Sequence, residues 1–238
     1  METLTVVHLD EALVAVHKPP GLLVHRTALD SKAEDFLLQR LRRQLGQRVY
    51  TVHRLDRPTS GVLVFGLTPA HARTLSASFE QRRVEKRYLA VVRGYLEKTG
   101  CVDYPLQDEP EQPLREAVTD YRCLARVELP VAVSRYPTSR YSLALVRPRT
   151  GRYHQIRKHF HHIHHPLIGD TTHGEGRHNR LFRKRFGVHR LLLHAVALGF
   201  PHPDTDAWIN VTAPPDRQWR TLMRTLDWPG DDPASIPS

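Results

Sequence analysis

The stretch HRLDRPTSG, residues 53–61, lies between two short apolar runs, VYTV and VLVFGL. Apolar runs of this length that are rich in valine predict strands, so the polar stretch between them is predicted to be a loop. Pro58 restricts the backbone of this loop, and Gly61 permits a turn. We therefore expect Asp56, the single carboxylate of the stretch, to be held rigidly at the edge of a strand.

Asp56 is flanked by two arginines, Arg54 and Arg57. Neighbouring guanidinium groups favour the ionised form of a carboxyl group, which keeps it available as a nucleophile or a base near neutral pH. The alternative is that Asp56 only forms a structural ion pair with one of these arginines. For this stretch taken alone the ion pair is the better-supported interpretation, because such pairs are common in proteins.

The composition is that of a soluble globular protein, since 40% of the 238 residues are hydrophobic and 25% are charged. No apolar run reaches the roughly 18 residues of a membrane span, and the N-terminus lacks the basic start of a secretory signal. The two cysteines, Cys101 and Cys123, imply no disulfide framework. We therefore expect a cytoplasmic protein.

The charge balance favours a nucleic-acid partner. The chain has 35 Lys and Arg residues against 25 Asp and Glu residues, a net charge of +10, and only six of the basic residues are lysines. Arginine presents a planar fork of donors that suits phosphates and stacks on bases. A GC-rich genome would also enrich arginine codons, so charge alone leaves both explanations open.

Periodicity and turn residues predict an α+β fold. Strands are predicted over residues 4–8, 13–17, 22–25, 49–52, 62–67, 88–92, 118–133, 141–146 and 191–200. Helices are predicted over 33–45, from Thr68 through Phe79, over 152–163 and around 215–227. Because the order is irregular, we expect one domain over residues 1–228, with a mixed, mainly antiparallel sheet and flanking helices. The tail, 229–238, is predicted to be disordered.

The segment EKRYLA, residues 85–90, places two basic residues before an aromatic one at the start of a predicted strand. Lys86 and Arg87 suit phosphate contacts, and the ring of Tyr88 offers a surface on which a base can stack. A half-buried strand tyrosine explains the same pattern, and for this segment alone it is the better-supported explanation.

The segment GRYHQIRKH, residues 151–159, lies in a predicted helix. On that helix His154 and Arg157 share one face, and Ile156 and Phe160 share another. The apolar face can therefore pack in the core while the other face presents a guanidinium group to an anion.

Four histidines, His161, His162, His164 and His165, follow this segment. A zinc site is one interpretation, but no cysteine lies nearby and no motif such as H-E-x-x-H is present. A solvated histidine cluster that faces RNA is the preferred interpretation, and we expect no bound metal.

The motifs HRLDRPTSG, KRY and GRYHQIRKH, in this order, resemble the signature motifs of the RluA-type pseudouridine synthases. Three further stretches resemble the same family: LVAVHKPPGLLVH (13–25), HPLIGD (165–170) and RLLLHA (190–195). The resemblance covers about 200 residues, and coincidence does not explain so many motifs in one order. His164 and His173 stand where the wider family has Gly and Tyr, and both agree with the C-type branch, which acts on tRNA.

The resemblance implies that the protein converts a uridine in RNA to pseudouridine. In that reaction the N1–C1′ glycosidic bond breaks, the uracil turns, and C5 bonds to C1′. No electron, hydride or external group is transferred, so no cofactor is expected. The C-type branch implies uridine 65 in the T-stem of certain tRNAs as the target. We expect a monomer, because the sequence shows no obvious apolar stripe for self-association.

The resemblance also implies roles for individual residues. Asp56 would be the essential carboxylate, which either adds covalently to the sugar or removes a sugar proton. Tyr88 would stack on the uracil and help to remove its C5 proton, and Arg157 would pair with Asp56. Arg54 would enter the space left by the flipped base, and Ile156 would form an apolar wall. Contacts with the RNA are also expected from Lys86, Arg87, Arg152 and His154.

Other functions stay open on the sequence alone. One is a pseudouridine synthase that acts on ribosomal RNA, and another is a non-catalytic RNA-binding protein on the same scaffold. A third is a nuclease or a base-releasing glycosidase that uses Asp56 with the histidines. A zinc-dependent enzyme is a weaker fourth.

Overall fold

The computed structural model describes residues 3–25, 35–108 and 111–229. The chain divides into two compact units, residues 1–85 with 195–213 and residues 86–194 with 214–238. The strands are β1 (Thr5–Leu9), β2 (Leu13–Lys18), β3 (Tyr50–Thr51), β4 (Ser60–Gly66), β5 (Glu85–Arg93), β6 (Thr99–Asp103), β7 (Val118–Leu129), β8 (Ser139–Pro148), β9 (Leu193–Pro201) and β10 (Trp208–Thr212). The helices are α1 (Leu37–Leu45), α2 (Pro69–Glu80), α3 (Gln155–His162), α4 (Gly176–Phe186) and α5 (Arg217–Thr225).

The first unit is built on strands in the order β1-β2-β4-β9, with β3 paired to β4 and β10 paired to β9. β2 and β4 are buried along almost their whole length, as expected from the apolar runs LVAV and VLVF that they contain. Their side chains share a core cluster with Leu75 of α2 and Phe200 of β9. At the start of α2, the side chain of Thr68 accepts a hydrogen bond from the His71 backbone N–H, as expected for an N-cap residue.

Gly61 lies inside β4 rather than in a turn, so its interpretation as a turn residue is wrong. Its φ is +119°, and a Cβ atom added there would lie 2.1 Å from the carbonyl oxygen of Ala195 in β9. The backbone of the neighbouring strand occupies the space of a side chain, which is why the position requires glycine.

The second unit carries strands in the order β5-β8-β7-β6, and these neighbouring strands are antiparallel. Helix α3 packs on this sheet through Ile156 and Phe160, which share a core cluster with Ala90 of β5 and Ala144 of β8. The predicted apolar face of this helix is therefore confirmed. The predicted α+β class with a mainly antiparallel sheet is also confirmed, since the strand pairs of both units with a defined register are antiparallel.

Two predicted elements near the N-terminus differ from the structure. Residues 22–25 do not form a strand, and within them only Leu23 makes an isolated bridge, with Phe36. The helix predicted over 33–45 begins at Leu37, because Phe36 adopts the extended backbone of the residue before a helix.

The sequence did not predict β6, β10 or α4. β6 and β10 each bury only one of their five residues, so they lack a clear alternation of apolar and polar side chains. α4 is dominated by basic residues, which hides its short apolar face. The tail predicted over 229–238 falls almost wholly on residues 230–238, which lie outside the described residues. None of the helices in the described part of the chain has the length and hydrophobicity of a membrane span.

Candidate active site

Asp56 lies in the loop between β3 and β4 of the first unit, half-buried between the exposed residues Arg54 and Arg57. The backbone carbonyl of Asp56 accepts a hydrogen bond of 3.0 Å from the N–H of Thr59. This bond closes a tight turn that contains Pro58, and it fixes the backbone on which the carboxylate is carried.

A buried lysine holds this turn in place. Lys18, at the end of β2, has no exposed surface. Its Nζ atom donates to the carbonyl oxygens of Pro19 (3.1 Å), Arg57 (3.0 Å) and Thr59 (2.7 Å). Burying an ammonium group is unfavourable unless it is hydrogen-bonded, so these carbonyls stabilise Lys18 while Lys18 holds the turn that carries Asp56.

Two further sets of contacts order the same stretch. The backbone N–H of Gly21 donates to the carbonyl of Arg57 (2.8 Å), and Nε of Arg57 donates to the carbonyl of Gly21 (3.1 Å). Nε2 of His53 accepts from the N–H of Val64 (3.1 Å), and its ring stacks on Phe79 at 4.5 Å. His53 is therefore bound into the fold of the first unit.

The candidate residues of the second unit include a buried ion pair. Arg157 of α3 is 4% exposed and Asp170 is 2% exposed. Nε of Arg157 lies 2.7 Å from Oδ2 of Asp170, and Nη2 lies 2.8 Å from Oδ1. This fork-to-fork geometry fixes the plane of the guanidinium group. The sequence predicted that α3 presents Arg157 to an anion. In the structure Arg157 binds the carboxylate of Asp170, a residue that was not among the predicted site residues.

Asp170 is ionised, and protein N–H groups donate hydrogen bonds to both of its oxygens. Its Oδ1 atom also accepts from the backbone N–H groups of Thr172 and His173, both at 2.9 Å. Burial alone would raise the pKa of Asp170, but the hydrogen bonds from Arg157 and the backbone bring that pKa below its ordinary value. The ion pair therefore persists throughout the neutral pH range.

The turn before Asp170 is packed tightly. Gly169 has a φ of +80°, and a Cβ atom added there would lie 1.8 Å from the carbonyl oxygen of Arg190. The side chain of Asn179, from α4, accepts from the N–H of Gly169 (2.7 Å) and donates to the carbonyl of Asp170 (2.8 Å). Helix α4 thus holds the backbone of the residue that orients Arg157.

Tyr88 and Ile156 belong to one apolar region of the second unit. Ile156 is 6% exposed in the core cluster beneath α3, and the half-buried Tyr88 of β5 packs against that cluster. Lys86, two residues earlier, donates through Nζ to the carbonyl of Thr150 at 2.8 Å. The contact with the core cluster supports the ring of Tyr88 from one side.

The N-terminus of α3 is anchored by a buried glutamine. The amide nitrogen of Gln155 donates to the carbonyl of Val118 (3.0 Å) and to Oγ1 of Thr119 (2.9 Å). Its amide oxygen accepts from the hydroxyl of Thr150 (2.8 Å) and from the N–H of Arg152 (3.0 Å). Gln155 lies within the GRYHQIRKH segment, but its anchoring role could not be predicted from the sequence, because a single glutamine is common in helices.

Two predicted RNA contacts sit at the same end of α3. Nε of the half-buried Arg152 donates to the carbonyl of Glu116 at 3.0 Å. His154 has a φ of 56°, its ring stacks on Tyr153 at 3.8 Å, and its Nδ1 lies 3.0 Å from Nε2 of His173. Burial lowers the pKa of His173, so this ring-to-ring hydrogen bond is made by a neutral His173 at neutral pH.

Comparison with known proteins decides the family. Residues 12–162 match the sequence profile described as RNA pseudouridylate synthase. The chain belongs to the RNA pseudouridylate synthase family. The expectation of an RNA-modifying isomerase is therefore confirmed at the level of the family.

Near full-length relatives carry a more specific name. A tRNA pseudouridine synthase C from Vibrio cholerae is 47% identical over 235 residues, covering 94% of this chain and 96% of that protein. A protein of the same name from Pasteurella multocida is 48% identical over 236 residues, covering 95% of this chain and 97% of that protein. The predicted resemblance to the C-type branch of the pseudouridine synthases is thus confirmed.

Solved structures agree with the fold. Human RNA pseudouridylate synthase domain containing 1 superimposes with a TM-score of 0.74 at 27% identity, covering 96% of this chain and 89% of that chain. Human RNA pseudouridylate synthase domain containing 4 has a TM-score of 0.72 at 24% identity and covers 94% of both chains. The second likeness concerns the fold alone.

In this pseudouridine synthase, histidines at the end of α3 and just after it make protein contacts. The rings of His161 and His165 each lie 2.8 Å from a backbone carbonyl oxygen, and His162 stacks on Tyr104 at 3.7 Å. Across residues 3–25, 35–108 and 111–229, no group of three or more His, Cys, Asp or Glu side chains is arranged to hold a metal ion.

The predicted site residues of the synthase fall on both units. Tyr88, Ile156 and Arg157 lie in the second unit, where Ile156 and Tyr88 share one cluster. Asp56 and Arg54 lie in the first unit, on the turn held by Lys18. The predicted pairing of Asp56 with Arg157 stays a prediction.

Proposed function

We propose that the protein is a tRNA pseudouridine synthase that isomerises uridine 65 in the T-stem. The N1–C1′ bond breaks, the uracil rotates, and C5 bonds to C1′. The C5 proton leaves to solvent and N1 gains a proton, so atoms and electrons balance without a cofactor. We place this activity in the cytoplasm and in a monomer.

The observation that carries this proposal is the near full-length similarity to proteins named tRNA pseudouridine synthase C. The matched family segment, residues 12–162, contains Asp56, Tyr88 and Arg157. The residue types that the reaction needs are therefore all present within the segment that defines the family.

Asp56 is proposed as the essential carboxylate. Its turn is fixed by backbone hydrogen bonds, which suits a group that must meet one sugar atom in a defined geometry. Whether it adds to the sugar or removes a sugar proton, the charge of the carboxylate is required.

Arg157 is proposed to orient Asp56 as well as to bind Asp170. A guanidinium group has five N–H donors, and the fork with Asp170 uses Nε and Nη2. One arginine can therefore serve two carboxylates. Because Asp170 fixes the plane of Arg157, it acts in this scheme as a positioning residue.

The other residues are proposed to handle the flipped nucleotide. Tyr88 stacks on the uracil and takes part in removing the C5 proton, and its ring is kept rigid by the cluster that includes Ile156. Arg54, which is exposed, fills the space left in the RNA helix, because flipping a base costs a few kcal/mol and an inserted side chain offsets part of this. Phosphate and sugar contacts are proposed for Lys86, Arg87, Arg152 and His154.

The test uses a tRNA transcript with tritium at C5 of its uridines, since isomerisation releases this label to water. We expect Asp56→Asn to lower the release rate on the order of 10⁴-fold while tRNA binding is retained. Asp103→Asn, which removes an exposed carboxylate from β6, is the matched control and should release tritium at the wild-type rate.

The outcomes separate the proposal from its alternatives. Equal release by the wild type and Asp56→Asn would remove Asp56 from its role. Release from a transcript in which uridine 65 is replaced by cytidine would overturn the assigned position. Tight tRNA binding without release by the wild type would favour a non-catalytic RNA-binding protein, and free uracil or shortened RNA would indicate a glycosidase or a nuclease.

A further inference from the structure

Helix α4 has the densest positive charge of the second unit's three helices. Within its eleven residues it carries five basic side chains and no acidic one, and all five are exposed. They are Arg177, Arg180, Arg183, Lys184 and Arg185. The helix lies outside the motifs that carry the family resemblance, and its basic side chains have no part in the scheme proposed above.

Three of the five basic residues of α4 lie on the side of the helix opposite to its buried residues. His178 and Phe182 are buried, and Phe182 packs edge-on against Tyr141 with ring centroids 4.8 Å apart. At 100° per residue, Arg177, Arg180 and Lys184 fall in one row on the opposite side of the helix. Arg177 and Lys184 are seven positions apart, which is roughly 10 Å along the axis. The helix therefore exposes a row of three cations to solvent.

Helix stability does not account for this face. Cations near a helix C-terminus are favourable, which explains Arg183 to Arg185, but Arg177 lies in the first turn, where the helix dipole disfavours a cation. Arg177, Arg180 and Lys184 also repel one another at spacings of three and four residues. Among the described residues none of these three has an acidic partner, since Glu175 at the start of the helix pairs with Arg93. The position near the C-terminus explains Lys184 but leaves Arg177 and Arg180 without an explanation in helix stability. Since α5 carries arginines at the same spacing, the feature that distinguishes α4 is its hydrogen bond to the backbone of Asp170.

The buried side of α4 connects this face to the candidate site. Asn179 hydrogen-bonds through its side chain to the backbone of Gly169 and Asp170, and Asp170 holds Arg157. The hydroxyl of Tyr141 makes a further buried hydrogen bond of 2.7 Å with His178. Since a helix is about 10 Å across, the row of cations lies on the order of 10 Å from the backbone of Asp170.

We propose that this basic row of α4, formed by Arg177, Arg180 and Lys184, binds the phosphate backbone of the RNA helix next to the target uridine. The inference rests on the proposed function for the identity of that RNA. Double-helical RNA suits the row because its phosphates form a regular line of negative charge, whereas its deep major groove is closed to side chains. The row supplies affinity and register and no contact with the reacting base.

The fold contains a matched control in α5. Arg217, Arg220 and Arg224 are exposed and have the same spacing of three and seven residues, on a helix of the same unit. The triple variant R217A/R220A/R224A therefore removes the same charge in the same local geometry as R177A/R180A/K184A. Only the place on the protein differs.

The experiment measures the affinity of both variants for an unmodified tRNA transcript across a range of salt concentrations. For R177A/R180A/K184A we expect binding to weaken on the order of 10²-fold near 0.1 M salt. The slope of log K against log salt should fall by about two to three units, as for three lost phosphate contacts. R217A/R220A/R224A should stay close to the wild type, and tritium release at saturating enzyme should survive in both variants.

Each result decides the question. Equal weakening by the two triple variants would show that total charge alone matters, and wild-type affinity of R177A/R180A/K184A would show that α4 is not the contact; either overturns the inference. A wild type that binds tRNA through α4 and releases no tritium refutes the proposed function and leaves the binding surface in place. Wild-type release with an inert α4 refutes the surface alone.

Discussion

Asp56 and Asp170 are both aspartates next to arginine, but the fold treats them differently. Asp170 is enclosed, and its two oxygens accept from one guanidinium group and two backbone N–H groups. Asp56 is half-buried on a turn, and what is fixed there is the backbone on which it is carried. Asp170 is thus a carboxylate that stabilises an arginine, whereas Asp56 is the carboxylate proposed to meet the substrate.

The largest expected effect on stability belongs to Asp170→Asn. It removes the buried carboxylate that accepts two hydrogen bonds from the guanidinium group of Arg157, and it should destabilise the protein by about 3–5 kcal/mol. Asp56→Asn, on the half-exposed turn, should cost about 1 kcal/mol or less. Urea unfolding of both variants measures the contrast.

A hydrophobic replacement checks the reason for that loss. The double variant Arg157→Met/Asp170→Leu removes both charges and should remain inactive. It should recover part of the stability lost in Asp170→Asn, because the backbone N–H groups of Thr172 and His173 still lose their acceptor. Similar unfolding midpoints for Asp56→Asn and Asp170→Asn would break the comparison between the two carboxylates.

A smaller effect is expected at Lys18. Lys18→Met preserves the length of the side chain but removes the donor to three carbonyl oxygens, so it should destabilise the protein by about 2–3 kcal/mol. Because the turn that carries Asp56 is loosened, kcat should fall while KM changes little. The same substitution at the exposed Lys98 is the control. An unchanged kcat in Lys18→Met would show that the hydrogen bonds from Lys18 to the turn do not position Asp56.

The smallest effect is the pH dependence of the stability that Asp170 contributes. The pKa of Asp170 in the folded protein lies below the ordinary aspartate value of about 3.9. Its contribution to stability is therefore complete above about pH 4 and is lost as the pH falls through the lower, folded value. The difference in unfolding free energy between the wild type and Asp170→Asn should be constant from pH 7 to about pH 5 and shrink only below about pH 4. A decline between pH 7 and pH 5 would contradict the assigned direction of this pKa.

Candidate residues could be named from the sequence where the chemistry of a single side chain stands out from its neighbours. Asp56 stands out because it is a lone carboxylate among cations, and Tyr88 because an aromatic follows two basic residues. The apolar face of α3, with Ile156 and Phe160, follows from helical spacing alone. Patterns that are local in sequence can be detected in this way; the apolar face of α3 is confirmed, and the roles of Asp56 and Tyr88 stay predictions.

Features that depend on distant segments were not predicted. Asp170 lies 13 residues from Arg157, and neither residue indicates that the other is its buried partner. The contact of Gly61 with Ala195 joins segments that are far apart in the chain, so this glycine was taken for a turn residue. Helix α4 was missed because its basic residues outnumber the apolar ones that a periodicity search detects.

The hydrogen bonds that Lys18 donates to the turn have an evolutionary consequence. Lys18 binds main-chain oxygens at positions 57 and 59, and every amino acid supplies the same oxygen there. Selection can therefore exchange side chains along this turn to suit a different nucleic acid while the backbone geometry at Asp56, the proposed reactive residue, is inherited unchanged. A scaffold that anchors its chemistry through atoms common to all residues is well placed to diversify its targets.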